Sequence, residues 1–475
     1  MITNNARPAS SPKSGSSAMQ RILAETRALL AIGGPLVVNN LCTIGLQTID
    51  TVMAGQLGAR DLAAVAIGGH FWVPLFLFGM GVLMAVSPLA SFHWGAHEPQ
   101  AIGHVARQAA WLSVLVSGVL IAILSLDNLV FGLLDLEPDV LKRARGFIDA
   151  IAWGLPAACL FQVLRFTGAA TGYTVPIMVL SVLALPLNAA LNWVLMYGKL
   201  GLPPLGVVGC GWATTIVHVW ICLTLTVWMW RGRIYRRLAL FSAWEWPQPS
   251  ALRHQLRLGL PIGIGIFLEA ALFGSVALLM GALGTRVVAA HQIAINYAAL
   301  MFMVPLGISV ALTVRIGHAL GAGEGARTRF IGAVGYALCV AFALVSAAVM
   351  LLFPAQIVKL YTADNAVSII AAGLLGVAAI FQVSDSLQIA AAGALRGLQD
   401  THVPMLINAM SYWGIGFPLA WLFGITLNHG PRGVWAGLVL ALTVAAMLLL
   451  ARFYWLTRER NPERLQAPMR TTHEA

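Results

Sequence analysis

The stretch LGLPIGIGIFLEAALFGSVALLMGALGT, residues 258–285, runs for 28 residues with one ionisable side chain, Glu269. An α-helix rises about 1.5 Å per residue, so roughly 20 apolar residues cross the hydrocarbon core of a bilayer. The stretch reads as a membrane span. It also sets a question, because a carboxylate at bilayer depth costs at least about 2–3 kcal/mol.

The rest of the chain is of the same kind. Of its 475 residues, 59% are hydrophobic and only 10% charged, with a mean hydropathy of +0.82. A soluble protein needs about 25% charged residues, so the composition is that of a polytopic membrane protein. Cys42, Cys159, Cys210, Cys222 and Cys339 are odd in number, lie in apolar segments and show no metal-site spacing. They read as packing residues. The polar opening, MITNNARPASSPKSGSSAMQ (1–20), lacks the apolar core of a signal peptide, and residues 1–25 are expected to form a disordered cytoplasmic tail.

Walking between charged residues gives twelve spans. They lie inside 28–59, 62–96, 108–126, 150–164, 166–198, 200–230, 258–285, 287–314, 330–358, 365–395, 401–431 and 433–451. The fourth is short. Twelve spans place both termini on one side, and with that side inside, 21 of the 29 Lys and Arg fall in cytoplasmic segments. This is the positive-inside bias. The net charge of +11 is therefore topological and does not call for nucleic acid.

The longest polar interruption, residues 231–257, divides the chain into an N-lobe (26–240) and a C-lobe (241–455), with a second tail at 456–475. Shifting the sequence by 226 lays 35–96 over 261–322 without a gap, with 14 identities in 62 positions. LGARDLAAVAI (57–67) falls on LGTRVVAAHQI (283–293), Pro35 on Pro261 and Gly81 on Gly307. A six-span repeat returns to its starting side, so the copies are parallel. The expected fold is all-α integral membrane, twelve transmembrane helices as two parallel six-helix repeats around a central cavity. Secondary transporters use this plan, with the substrate site near midplane.

Three carboxylates fall within spans: Asp50, Glu269 and Asp385. Ionisable groups at that depth are functional by default. For Asp50, near the outer end of its helix, an interfacial or structural hydrogen-bonding role stands beside the functional one. FQVSDSLQ (381–388) brings Gln382, Asp385, Ser386 and Gln388 within two turns, a face suited to a wet cavity or to interhelical hydrogen bonding. Span 8 carries His291, Gln292 and Asn296, and span 5 carries Asn188 and Asn192. His291 reads equally as a structural histidine or a proton relay, and the asparagines as packing groups or cavity lining.

Water-poor surroundings favour the neutral form of any carboxyl group, so such a group exchanges protons nearer neutral pH. The same group, with neighbouring oxygens, holds Na⁺ or pairs with an organic cation. A group that binds either ligand but not both is what an exchanger requires. No nucleophile elbow, phosphate loop or HExxH is present, and GIG at 263–265 lies inside a span. The reading is a gradient-driven transporter with no cofactor, not an enzyme.

IDTVMAGQLGARDLAAVAIG (49–68), LPLNAALNWVLMYGKLG (185–201), GVVGCGWATTIV (206–217), RLGLPIGIGIFLEAALF (257–273), VVAAHQIAINYAALMFMVPLGI (287–308) and DSLQIAAAGALRGLQD (385–400) resemble the multidrug and toxic-compound extrusion (MATE) family, in its NorM branch. The resemblance covers nearly all of the chain after residue 25. It implies a multidrug efflux antiporter of a bacterial inner membrane that exchanges cationic or amphipathic drugs for Na⁺ or H⁺. Asp50, Glu269 and Asp385 would be its coupling acids, and Glu269 with Asp385 its Na⁺ site. Asn188, Asn192, His291, Gln292, Asn296, Gln382 and Ser386 would be supporting polar groups of the cavity. One chain holds both repeats and is expected to work as a monomer. Two departures stand out: Phe381 occupies a place where close relatives carry Tyr, and Asn192 one where some archaeal relatives carry Asp. The alternative is a flippase of the same fold for a lipid-linked saccharide, which would need a strongly cationic cavity.

Overall fold

A computed structural model describes residues 17–126 and 137–458, which form helices joined by short turns. The first half opens with α1 (Ala18–Leu57) and α2 (Ala59–Leu83), which runs on after a short break into α3 (Val86–Gly95). It continues with α4 (Pro99–Leu124), α5 (Pro138–Ala152), α6 (Leu155–Ala170), α7 (Val175–Tyr197) and α8 (Val207–Arg231). A short α9 (Arg233–Arg237) leads to the second half: α10 (Pro249–Ala282), α11 (Thr285–Gly321), α12 (Gly325–Leu352), α13 (Pro354–Lys359) and α14 (Asn365–Gly397). Next come α15 (His402–Ala409) and α16 (Phe417–Trp421), separated by a π-helical segment, Met410–Gly416, and followed by another, Leu422–Thr426. The last helix is α17 (Gly430–Leu456).

Eleven of these helices or helix runs are long and apolar enough to cross a membrane. The pair α5–α6, bent by 46°, makes a twelfth if it is one span. The expected twelve spans are reached when that pair counts as one. Proline opens many of the helices: α4, α5, α6, α7 and α17 each carry it in their first two positions, where the missing N–H is no loss.

Two boundaries differ from the sequence reading. The fourth span is not confined to 150–164 but extends over 138–170, broken at Trp153–Gly154. A charge was taken to end a span, yet α5 is amphipathic. It buries Val140, Ala144, Phe147, Ile148 and Ile151 and turns its charges to other faces, where Arg143 meets Asp61 at 2.7 Å and Asp139 at 3.1 Å. The second difference is at the N-terminus. Helix α1 begins at Ala18, so residues 18–25 are helical where a tail was expected. The cause is an ion pair: Glu25, 4% exposed, accepts from Arg315 Nε at 2.7 Å and from its second nitrogen at 2.9 Å, with Arg327 at 3.4 Å. The remainder of the first tail, and nearly all of the second, lies outside the described residues.

The chain gathers into two compact units. One takes Val38–His93 and Glu98–Phe267; the other takes the described part of Met1–Val37, with Trp94–His97 and the described part of Leu268–Ala475. Of the boundaries, one falls inside α1, one inside α3, one in the turn between α3 and α4, and one inside α10. Each unit has close helix contacts at glycine, among them one at a position of the repeat. In the first unit a Cβ on Gly81 of α2 would lie 2.6 Å from the Cα of Gly263 in α10; in the second, a Cβ on Gly33 of α1 would lie 3.3 Å from the carbonyl oxygen of Gly307 in α11. Gly81 and Gly307 are the glycines superposed by the 226-residue shift, so the repeat keeps glycine where two backbones touch.

The segment between the two halves is strapped to α4. Glu245 accepts from Arg107 and, at 2.8 Å, from His104 Nδ1, while Trp111 Nε1 donates to its carbonyl at 2.8 Å. Gln108 donates to the Trp246 carbonyl at 3.0 Å and accepts from the Gln248 N–H at 2.8 Å. The Arg107 hydrogen bond, then that of His104, holds the Glu245 carboxyl below its ordinary 4.5 against the opposing effect of burial. Its contribution is therefore present above the ordinary carboxylate range and is lost as the pH falls through the lowered value. Glu245→Gln is expected to speed amide exchange across 240–248 by about threefold to tenfold, the loss of one charge-assisted hydrogen bond in a part-exposed setting. Unchanged exchange, measured by mass spectrometry, would mean that Trp111 and Gln108 hold the strap without it.

Candidate functional site

The three carboxylates expected in spans are placed in two different settings. Asp50, on α1, is satisfied. Its Oδ1 accepts from Asn192 Nδ2 at 2.6 Å and its Oδ2 from Thr214 Oγ1 at 3.1 Å, and Asn192 also donates to Asn188 Oδ1 at 3.1 Å. Asn188 and Asn192 sit one turn apart on α7 and are 1% and 0% exposed, so α7 presents both amides to α1. Sequence reading named both asparagines. It missed Thr214 on α8, whose only signal is a hydroxyl in an apolar run.

Asp385 is different. It is 4% exposed on α14, and its Oδ1 has no hydrogen-bond partner. Around it on the same helix, Gln382 lacks partners for both amide atoms, Ser386 for its hydroxyl and Gln388 for its Oε1. The face predicted from the i, i+3 and i, i+4 spacing is real and entirely buried. Buried polar atoms left unpaired each cost about 1–3 kcal/mol, so a row of them is an expensive arrangement.

Glu269 sits half-buried on α10 and is close enough to Asp385 for the two charges to interact. The hydroxyl of Tyr412 is within reach of both fields, and the guanidinium of Arg396 within that of Glu269. Sequence reading missed Tyr412. It lies in the π-helical segment Met410–Gly416, and the wide turn there leaves Tyr412 fully buried with its hydroxyl unpaired, as is that of Ser411. Such π-turns gather at functional sites, but nothing in the sequence SYWG announces one. Trp413 ties the segment to α10 by donating to the carbonyl of Leu268, next to Glu269, at 3.2 Å.

The aromatic wall of this region is dry. Phe381 is 2% exposed and packs edge-on to Trp435 (5.3 Å) and Phe273 (6.1 Å). His291 is in the same wall: Trp435 Nε1 donates to its Nδ1 at 3.2 Å, which fixes the proton on Nε2 and gives the ring a structural partner. Of the two readings for His291, this contact favours the structural one. Gln292, next to His291 on α11, and Asn296, one turn beyond it, are exposed, and Asn296 accepts from Tyr361 at 3.1 Å. They do not join the buried row on α14.

Arginines in helices form the second departure from the sequence reading. Arg165, Arg315 and Arg396 were assigned to polar segments between spans, yet each is inside a helix and at most 8% exposed. The charge of Arg315 is neutralised by Glu25. Among the described residues no group of three or more His, Cys, Asp or Glu converges as a metal site. A cation at Asp385 would therefore draw on the neutral oxygens of Gln382, Ser386 and Gln388, a donor set that suits Na⁺.

Membrane-length apolar helices, a repeat of 226 residues, one part-buried acid held by an amide and a second, buried acid among unpaired ones define a membrane protein of repeated architecture. The chain belongs to the MatE family, whose pattern matches it twice, over 35–194 and 261–422. The two matches begin on Pro35 and Pro261, 226 residues apart, which is the repeat shift found within the sequence. It is 43% identical over 453 residues to multidrug resistance protein PmpM of Pseudomonas aeruginosa, covering 94% of this chain and 95% of that one. With multidrug resistance protein NorM of Aliivibrio fischeri it shares 37% over 451 residues, 94% and 98% of the two chains. The fold matches the crystal structure of the eukaryotic MATE transporter AtDTX14 with a TM-score of 0.84 at 21% identity, covering 94% and 99%. It matches the Vibrio cholerae MATE transporter VcmN in the bent form with a TM-score of 0.81 at 19% identity, covering 93% and 99%.

Proposed function

We propose that this chain is a secondary multidrug antiporter of a bacterial inner membrane, with both termini cytoplasmic. It would exchange cationic or amphipathic drugs for Na⁺ or H⁺ and act as a monomer without a cofactor or catalytic residue. By topology its lobes are 26–240 and 241–455. The relatives named above as multidrug resistance proteins support efflux as the activity. The unpaired oxygens at Gln382, Asp385, Ser386 and Gln388 support α14 as the coupling site.

The chemistry follows from that row. With no cation bound, the Asp385 oxygen and its amide neighbours are buried without partners, an expensive state. A proton on Asp385 removes its charge and creates a donor. A Na⁺ ion instead satisfies several oxygens together. A drug cation near Glu269 offers a third way to neutralise the acids. The three are mutually exclusive because each uses the same carboxylates, and such exclusion couples the fluxes reciprocally. Asp50, already holding two hydrogen bonds, is a second acidic site whose protonation would weaken its contacts with Asn192 and Thr214.

Dye efflux from proteoliposomes, with Na⁺ and pH gradients imposed separately, tests this reading. Efflux of ethidium driven by either gradient supports it and names the ion. Absence of efflux under both would reject it. A flippase for a lipid-linked saccharide would need clustered cations for a pyrophosphate. Arg165 donates to Gln162 and Asn40, and Arg396 to Ser309 in the field of Glu269; neither has a second cation among its contacts with the described residues, which does not favour that alternative.

A further inference from the structure

Among the described residues Arg165, Arg315 and Arg396 are buried and Arg107, Arg327 and Arg452 part-buried, and four of these six are matched to carboxylates. Arg315 has Glu25, Arg107 has Glu245, Arg327 has Glu324 and Glu25, and Arg452 has Asp400. Arg396 donates to Ser309 and lies in the field of Glu269. Arg165 has no acid at all among the described residues: its guanidinium donates to Gln162 Oε1 at 2.9 Å and to Asn40 Oδ1 at 3.2 Å, and the only ring beside it is Phe166.

The setting offers no escape to water. Arg165 is 7% exposed, Asn40 7% and Gln162 6%, so the side chain does not snorkel out of its helix. Donors are also left over, since Arg165 Nε and Asn40 Nδ2 both lack partners. A guanidinium stays charged, and an uncompensated buried charge is costly. What would neutralise it is a single negative charge that accepts from the unused donors.

We propose that Arg165, Asn40 and Gln162 form a monoanion site in the Val38–Phe267 part of the chain, separate from the acids on α10 and α14. The anion is either the carboxylate of a zwitterionic substrate or a small inorganic anion such as chloride; both present one charge and hydrogen-bond acceptors. This extension rests on the transport reading, so the test is made at equilibrium on purified protein with no gradient. Transport and anion recognition can then fail separately.

Binding of a zwitterionic 4-quinolone-3-carboxylate, its ethyl ester and ethidium would be measured in chloride and in isethionate, together with thermal unfolding in each salt. Substrate-carboxylate recognition predicts that the acid binds more tightly than the ester in wild type. Arg165→Gln then weakens the acid by about tenfold to a hundredfold, the worth of one charge-assisted contact, with the ester and ethidium changed less than twofold. Chloride occupancy predicts a higher unfolding temperature in chloride than in isethionate, a difference abolished by Arg165→Gln. Arg165→Lys, which keeps the charge, retains part of either effect and serves if the Gln variant does not fold. Acid and ester binding alike in wild type, with no dependence on the anion, would overturn the proposal whatever the variants do.

Discussion

Efflux driven by an ion gradient is expected to fall about a hundredfold or more when Glu269→Gln and Asp385→Asn are combined, and about tenfold or more for either alone. The estimate follows from losing one or two charge-assisted contacts of about 1.5–3 kcal/mol each, at 1.4 kcal/mol per factor of ten. Both replacements are near-isosteric and remove a buried charge, so the variants should fold and unfold at or above the wild-type temperature. This separates the result from simple misfolding. Asp385 lies among amide and hydroxyl groups that have no other partner, so an Asn there keeps the polarity while removing the ability to compete for a cation. Initial rates of dye efflux in proteoliposomes check the prediction. A double variant with wild-type coupled efflux would make the α14 row structural and move the weight to Asp50.

The second large effect is on stability. Glu25→Gln should destabilise the protein by about 3–5 kcal/mol, because it leaves Arg315 buried without a counter-charge. Glu25 accepts two hydrogen bonds from Arg315, at 2.7 and 2.9 Å, and a third from Arg327 at 3.4 Å, which already serves Glu324 at 2.7 Å. The Gln side chain keeps the shape and one acceptor and loses only the charge. Replacing the pair together, Glu25→Met with Arg315→Met, should recover most of the loss, since well-packed apolar groups commonly match a buried ion pair. Thermal unfolding in detergent, followed by tryptophan fluorescence, distinguishes the cases. Equal stability of Glu25→Gln and wild type would show that water reaches Arg315.

Much of this was legible in the sequence because a bilayer simplifies the reading. Long apolar runs had to be helices, and their number followed from length alone. The repeat, the acids Asp50, Glu269 and Asp385, and the asparagines of α7 were visible because polar groups are rare in such runs. What the sequence hid were charges and polar groups whose partners come from distant segments. Glu25 was read as tail because its partner Arg315 is 290 residues away. Arg165 and Arg396 were taken as span boundaries because a charge normally ends a span, and only burial shows otherwise. Tyr412 is placed by a π-turn, a backbone irregularity with no residue signature. His291 carried two readings until the indole of Trp435, 144 residues away, supplied its hydrogen bond.

Competition between ion and drug at the α14 acids is the central claim, and equilibrium binding addresses it without transport. Fluorescence-detected affinity for ethidium would be measured on purified protein across a range of Na⁺ concentrations and pH, for wild type and the Glu269→Gln, Asp385→Asn double variant. The account predicts that raising Na⁺ or lowering pH weakens ethidium binding to wild type in proportion to the competing ion, and that the double variant shows weak binding indifferent to both. Ethidium affinity in wild type that does not change with either ion, while ion-driven efflux is intact, would contradict it.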